Sequence, residues 1–289
     1  MTLNQLTLAL ALSGLPLLAN ATQVLTTLPV THSLASALLA GTSVQLERAA
    51  PANLPASRQP SYFSGRGGAS LHKVASQADA VIGVRSIWRD DPLYPMARRS
   101  NIRIVEIDAA RPVDGALPGI AVRGEEAFAS YPWLNPSNLG RMADVVANDL
   151  ERLAPADKAR IQANLAGLKR QMLELTASSQ GQLAEVDNLS VVSLSERLGY
   201  LASGLNLDVV EQPLLADEQW DQAALDALGA NLKGQDVALV LHHRQPPAKV
   251  AAVIAAAGAK LLVLESDPED TVAGLKASVE QVIQALVQG

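Results

Sequence analysis

The chain contains no cysteine. That absence excludes disulfides, thiolate-bound zinc, iron–sulfur clusters, thiol nucleophiles and a lipid-modified N-terminal cysteine. Aromatic residues are scarce, with two Phe, three Trp and four Tyr in 289 residues, too few for the stacking platforms that hold single-stranded nucleic acid. Positive charge is also short. Lys and Arg number 23 against 29 Asp and Glu, a net charge of −6, which removes the usual electrostatic reason to bind DNA, RNA or anionic lipid. There are four histidines, His32, His72, His242 and His243, and no two sit at i, i+4, so a helical His-pair metalloprotease motif is excluded. The apolar run from Leu6 to Leu18 falls short of the roughly 20 residues that span a bilayer.

Hydrophobic residues at 48% and charged residues at 18% are enough for a sizeable core and argue against wholesale disorder. Residues 1–46 carry no Asp, Glu, Lys or Arg, and Ala19-Asn20-Ala21 fits a small-x-small cleavage site. Met1–Ala21 therefore reads as a secretory signal peptide, although its n-region lacks Lys and Arg. The alternative is a buried apolar helix. The mature chain is expected to start near Thr22 as a periplasmic protein that is not a lipoprotein.

Short β-branched runs alternate with helical patterns. Strands are predicted at Val24–Thr27, Ala80–Val84, Ile102–Ile107, Leu189–Ser193, Leu207–Glu211, Val237–Leu241 and Lys260–Glu265. Most are continuous apolar runs, as strands covered on both faces require. A helix over Ser33–Ala40 closes at Gly41, with Thr31 or Ser33 as cap, and Ala248–Ala257 follows Pro246-Pro247 and closes at Gly258. Leu139, Met142, Val146 and Leu150, then Ile161, Leu165, Leu168, Met172 and Leu175, keep helical spacing on either side of Pro155. Strand-and-helix units thus flank a long helical segment. The pattern predicts two α/β lobes with parallel sheets joined by a long helix, and a ligand cleft between the lobes at the strand carboxyl ends. The expected division is a lobe over 22–135, a linking helical segment over 136–185 and a second lobe over 186–289. The stretch Ala49–Gly68, rich in Pro, Ser, Gly and Arg, reads as a long loop.

Four segments together carry a resemblance to a known family. They are Val24-Leu25-Thr26-Thr27-Leu28-Pro29 with the helix behind it, Gln77-Ala78-Asp79-Ala80-Val81-Ile82-Gly83, Trp133-Leu134-Asn135-Pro136, and Pro247 through Gly258 to Glu265. In this order and spacing the chain resembles the periplasmic solute-binding proteins of zinc- and manganese-type ABC importers, a group that includes metal-binding lipoproteins and adhesins. The resemblance implies two Rossmann-like α/β lobes joined by one long rigid helix. It also implies zinc or manganese as cargo, no catalytic cofactor, an ABC permease in the inner membrane as partner, and a monomer with no nucleic-acid partner and no membrane insertion.

The family binds its metal with imidazoles and a carboxylate, the N and O donors that such ions prefer. Carried over one position at a time, the resemblance places the first imidazole at Tyr62 or Phe63, the second at Tyr131, the third donor at Ser195 and the carboxylate at Glu265. Only the carboxylate is retained. His242 occupies a position where the family often has a cleft-lining Glu, so His242 and Glu265 are the candidate metal donors, with Glu196 or Asp267 assisting. Arg197 and His243 complete the expected cleft. The bland alternative leaves one imidazole in solvent and the other packed in the cleft wall. His32 reads as a capping or packing residue and His72 as a solvated one. Gly65-Arg66-Gly67-Gly68, with Arg58, could cradle an anion or form a flexible cleft-edge loop. The charges of Arg89–Asp91 and Arg98-Arg99 read as surface. Ser193 and Ser195 lack a G-x-S-x-G context, so no enzyme is expected.

Three functions remain in view. The first is delivery of a divalent metal to a permease. The second keeps the fold but takes a metal chelate or small organic ligand, because Tyr and Phe in place of His suit a cation poorly. The third is a periplasmic interaction or metallochaperone role.

Overall fold

The computed structural model describes residues 21–124 and 127–287. The expected signal peptide, apart from Ala21, lies outside the described residues. Among the described residues no helix is long and apolar enough to cross a membrane.

The first lobe contains β1 (Gln23–Thr26), α1 (Pro29–Leu39), β2 (Gln45–Arg48), α2 (Gln59–Ser64), α3 (Gly68–Ala75), β3 (Ala80–Gly83), α4 (Leu93–Ser100) and β4 (Val105–Asp108). Two helices follow, α5 (Pro136–Leu153) and α6 (Lys158–Leu183). The second lobe contains β5 (Ser190–Ser193), α7 (Gly199–Gly204), β6 (Asp208–Glu211), α8 (Gln222–Gly234), β7 (Leu239–His242), α9 (Ala248–Ala256), β8 (Lys260–Val263) and α10 (Thr271–Val287). The sheets run β2-β1-β3-β4 and β6-β5-β7-β8, and every pairing is parallel.

The period-two geometry of a strand sends successive side chains to opposite faces, and both sheets use it to fill two cores. Val24, Ala80, Ile82, Val191, Leu239 and Leu241 enter one shared cluster. Their neighbours Leu25 and Val81 enter a second cluster under α3 and α4, while Val192 and Val240 enter a third with α8 and α9. The shared cluster also takes Leu139, Met142, Val146 and Leu150 from α5, so the lobes are joined through buried apolar surface. Each fully buried side chain of this size contributes about 1.5–3 kcal/mol relative to exposure.

Helix ends follow local chemistry. Pro136 opens α5, and the Asn135 side chain accepts from Ser137 N at 2.9 Å. Gly41 at φ +72° and Gly258 at φ +85° follow α1 and α9 in the left-handed conformation that glycine adopts freely. Helix α6 has 26 residues and is therefore about 39 Å long. Near its start Asn164 Nδ2 donates to Leu38 O at 2.8 Å and Ala40 O at 2.9 Å, and it also packs against α10. It is a strut that touches both lobes.

Four expectations change. Helix α1 starts at Pro29, four residues before the expected Ser33, because proline's fixed φ suits the first helical turn. Neither expected cap acts at its start. Thr31 Oγ1 donates to Leu28 O at 3.2 Å, and Ser33 Oγ donates to Asp270 Oδ1 at 2.8 Å. The Ala49–Gly68 stretch is no plain loop, since it holds α2 and a 3-10 turn over Ala56–Arg58. Asp91 is not a surface charge. It is buried, and its carboxylate accepts from Val84 N at 3.0 Å and Leu93 N at 3.1 Å. Burial nevertheless raises its pKa.

Candidate functional site

The carboxyl ends of both sheets open on a cavity of about 860 Å³ between the lobes. In each sheet the strand order reverses direction between the first and third strands of its lobe, the switch point where such sheets hold ligands. The N-terminal lobe lines the cavity with Leu28 and Pro29 after β1, residues 52–57 after β2, and Trp88, Phe128, Ala129 and Tyr131. None of these residues is charged. The C-terminal lobe supplies Ser195, Glu196 and Arg197 after β5, His242 and His243 at the end of β7, Arg244, and Asp267 after β8.

The N-terminal wall concentrates a scarce residue type. Trp88 stacks on Phe128 at a centroid distance of 4.6 Å, and Tyr131 lies 4.9 Å from Trp133. Tyr131 has φ 52° and ψ 61°. That is the left-handed region a bulky side chain avoids, and such conformations persist where surrounding packing holds them.

On the opposite wall the two imidazoles lie edge to face, 4.8 Å between centroids. Ser195 Oγ and His243 Nδ1 share a hydrogen bond of 2.7 Å. Burial, then the positive charge of Arg197, pushes the His243 pKa down to about 4. Burial and Arg244 also lower that of His242. Both rings are thus neutral at pH 7, the form that ligates metals. His242 is 6% exposed, and its Nδ1 has no partner among the described residues. Asp267 reaches the cavity from its solvent-exposed side. Desolvation by the surrounding cleft, partly offset by Arg197 and reinforced by Glu265, pushes its pKa up to about 6.

Arg197 stands at the centre of this charge pattern. Its guanidinium carbon lies 4.9 Å from the Tyr131 ring centroid, and Nη1 donates to Ser266 Oγ at 3.3 Å. Arg244 is instead held by Asp217 through contacts of 2.6 and 2.8 Å. Other bonds join the lobes: Ser130 Oγ donates to Glu196 Oε1 at 2.8 Å, and Arg123 N donates to Tyr200 Oη at 2.7 Å.

The structure brings Tyr131, Ser195, Glu196, Arg197, His242 and His243 to one cavity, and leaves the other sequence-derived candidates outside it. Phe63 is 1% exposed and packs in the cluster under α3 and α4, with Tyr62 partly buried against it. Glu265 is exposed and does not line the cavity; two residues on, Asp267 does. Arg58 and Arg66 are exposed away from it, and Arg66 lies over the Tyr62 ring. His32 contacts Thr26 Oγ1 at 2.9 Å, and His72, on an exposed face, contacts Ser100 Oγ at 2.8 Å. Tyr131 is also a weak donor for a cation, because burial and Asp267 raise its pKa and keep the phenol protonated. Sequence reading missed Trp88 and Phe128. Among the described residues, no three His, Asp or Glu side chains form a group able to hold a metal ion.

Comparison with known proteins places this architecture. No curated protein matches the chain in sequence. Among solved structures, the chain is similar to ZnuA at 19% identity and a TM-score of 0.69, covering 92% of this chain and 99% of that one. It is similar to an FpvC mutant from Pseudomonas aeruginosa at 18% identity and a TM-score of 0.72, covering 92% and 100%. It is similar to Zn(II)-bound AdcA from Streptococcus pneumoniae at 19% identity and a TM-score of 0.68, covering 93% and 58%. At these identities the likeness is one of fold. The sequence itself matches the family described as periplasmic zinc-uptake complex component A over residues 75–288. That is most of the chain, and the protein therefore belongs to the ZnuA family of periplasmic zinc-uptake components.

Proposed function

We propose that this protein is the periplasmic solute-binding component of a metal-type ABC importer, which captures its cargo between the lobes and delivers it to an inner-membrane permease. The cargo is a divalent metal, with zinc ahead of manganese because imidazole suits zinc better than it suits manganese. The reading rests on the cavity at the carboxyl ends of both sheets, where His242 and His243 present neutral imidazoles on the same wall as Glu196 and Asp267. His242 Nδ1 is itself buried and makes no hydrogen bond among the described residues, so Nε2 is the ring nitrogen left to a metal. The strut α6 and the shared core limit closure to small rearrangements of the cleft edge, where the Ser130–Glu196 bond and the Arg197–Tyr131 contact cross between lobes. The protein is not an enzyme on this reading. Ser195 is buried, and its partner His243 makes no hydrogen bond to a carboxylate among the described residues that would orient it as a base.

Calorimetric titration of the chelator-treated protein with zinc and then manganese, beside His242→Ala, tests this. Saturable zinc binding that weakens at least about tenfold in the variant is expected. Equal binding by the two proteins would remove the metal from this wall.

A further inference from the structure

We propose that the metal arrives already chelated by a small carboxylate-bearing molecule. Arg197 takes the carboxylate, His242 and His243 take open positions on the metal, and Trp88, Phe128 and Tyr131 cover the organic part. The inference rests on the function proposed above and names its cargo class.

Three observations carry it. The first is a donor count. Protein-bound zinc takes about four ligands, yet no group of three His, Asp or Glu able to hold a metal exists among the described residues. The imidazole pair supplies two at most, so the remaining donors come in with the cargo. The second is size. A cavity of about 860 Å³ equals roughly 29 waters at about 30 Å³ each. An ion with about six waters would fill only a fifth of that, whereas the volume lies within the usual range for small organic ligands.

The third is the state of Arg197. Among the described residues it has no carboxylate within ion-pair distance, and its one hydrogen bond goes to the neutral Ser266 hydroxyl. Its guanidinium carbon lies over the Tyr131 ring, and apart from the Nη1 bond to Ser266 its N–H donors have no partner among the described residues and can meet a carboxylate. The cavity's other arginine, Arg244, is already held through both terminal nitrogens by Asp217. One wall therefore offers metal donors and an anion receptor, and the other offers aromatic surface. A bare ion has no use for the last two.

The test is calorimetry on the full mature chain with four probes: zinc citrate, zinc histidinate, citrate alone, and zinc in a weakly coordinating buffer. Wild type, Arg197→Gln and Arg197→Lys are compared, with circular dichroism to check the fold. At least one complex is expected to bind about tenfold or more tighter than zinc alone and than its free chelator. Arg197→Gln should abolish that advantage and Arg197→Lys should keep part of it. Zinc alone binding as tightly as either complex, with Arg197→Gln without effect, would overturn the inference and leave metal capture standing. Citrate alone binding as tightly as its zinc complex would replace the chelate with an organic anion. No binding of any probe would overturn the proposed function with it.

Discussion

The two sheets share one strand order, β2-β1-β3-β4 and β6-β5-β7-β8, yet the walls they present to the cleft differ in kind. The N-terminal wall is uncharged and carries Trp88, Phe128 and Tyr131; the C-terminal wall carries Glu196, Arg197, His242, His243, Arg244 and Asp267. The family resemblance implied metal donors from both lobes. Here every titratable group but the Tyr131 phenol stands on one. The shared topology determines where strand ends and loops go, and the loop residues decide what the cleft can hold. A cargo can therefore register on the C-terminal wall and be covered by the N-terminal one.

Breaking the N-terminal lobe should have the largest effect. Asp91→Ala strands the Val84 and Leu93 amides, and at about 1–3 kcal/mol for each unsatisfied buried donor the expected loss is about 3 kcal/mol. Chemical denaturation measures it, and a loss below about 1 kcal/mol would mean that Asp91 does not organise the turn after β3.

The C-terminal wall should respond to acid. His243 titrates near 4 in the folded chain and near about 6.5 unfolded. Between those values only the unfolded chain takes the proton, so stability is full above about pH 6.5 and falls toward pH 4. At about 1.4 kcal/mol per unit the ceiling is about 3 kcal/mol, and water on the open side of the ring reduces it to about 2 kcal/mol. Asp91, Asp108 and Asp267, with raised pKa values, act in the opposite direction. The difference between wild type and His243→Gln at pH 7 and pH 4.5 isolates the imidazole. An unchanged difference would contradict its burial as a neutral ring.

Removing the aromatic cover is a subtler change. Trp88→Ala should weaken chelate binding about tenfold, or about 1.4 kcal/mol, with little effect on zinc alone. An equal loss for both probes would mean that the N-terminal wall contributes only shape. The smallest effect belongs to the strut. Asp144 pairs with Arg141 on the same helix α5 at 3.3 Å and with Lys169 on α6 at 2.8 Å. Asp144→Ala should cost about 0.5 kcal/mol, as partly exposed ion pairs do. A loss above about 2 kcal/mol would mean that charge rather than apolar packing holds the lobes together.

The fold was legible where burial wrote it into the sequence. The runs at Ala80–Gly83 and Leu239–Leu241 are apolar because both faces are covered. Strand β2 was not legible. It reads Gln-Leu-Glu-Arg, an edge strand with a polar pattern. Helix α2 hid in a proline- and glycine-rich stretch because six residues are too few to show a period. At the site, the neighbourhood of His242 could be read because it ends a buried strand. Counting along the chain through a stretch that reads as a loop places a metal position at Phe63, whereas in α2 its side chain belongs to the core. Asp91 looked like surface because Arg89-Asp90-Asp91 is a charge run, and nothing local shows that its carboxylate caps two buried amides. The cleft position of Trp88 and Phe128 depends on tertiary packing alone.

The central claim is that cargo metal sits on the C-terminal wall. X-ray absorption at the zinc edge, on protein loaded with zinc citrate, tests it most directly. The account predicts imidazole scattering from two rings, lost in His242→Ala/His243→Ala, with oxygen donors supplied largely by citrate. A spectrum unchanged in that double variant, or one with no imidazole signature in the wild type, would contradict it.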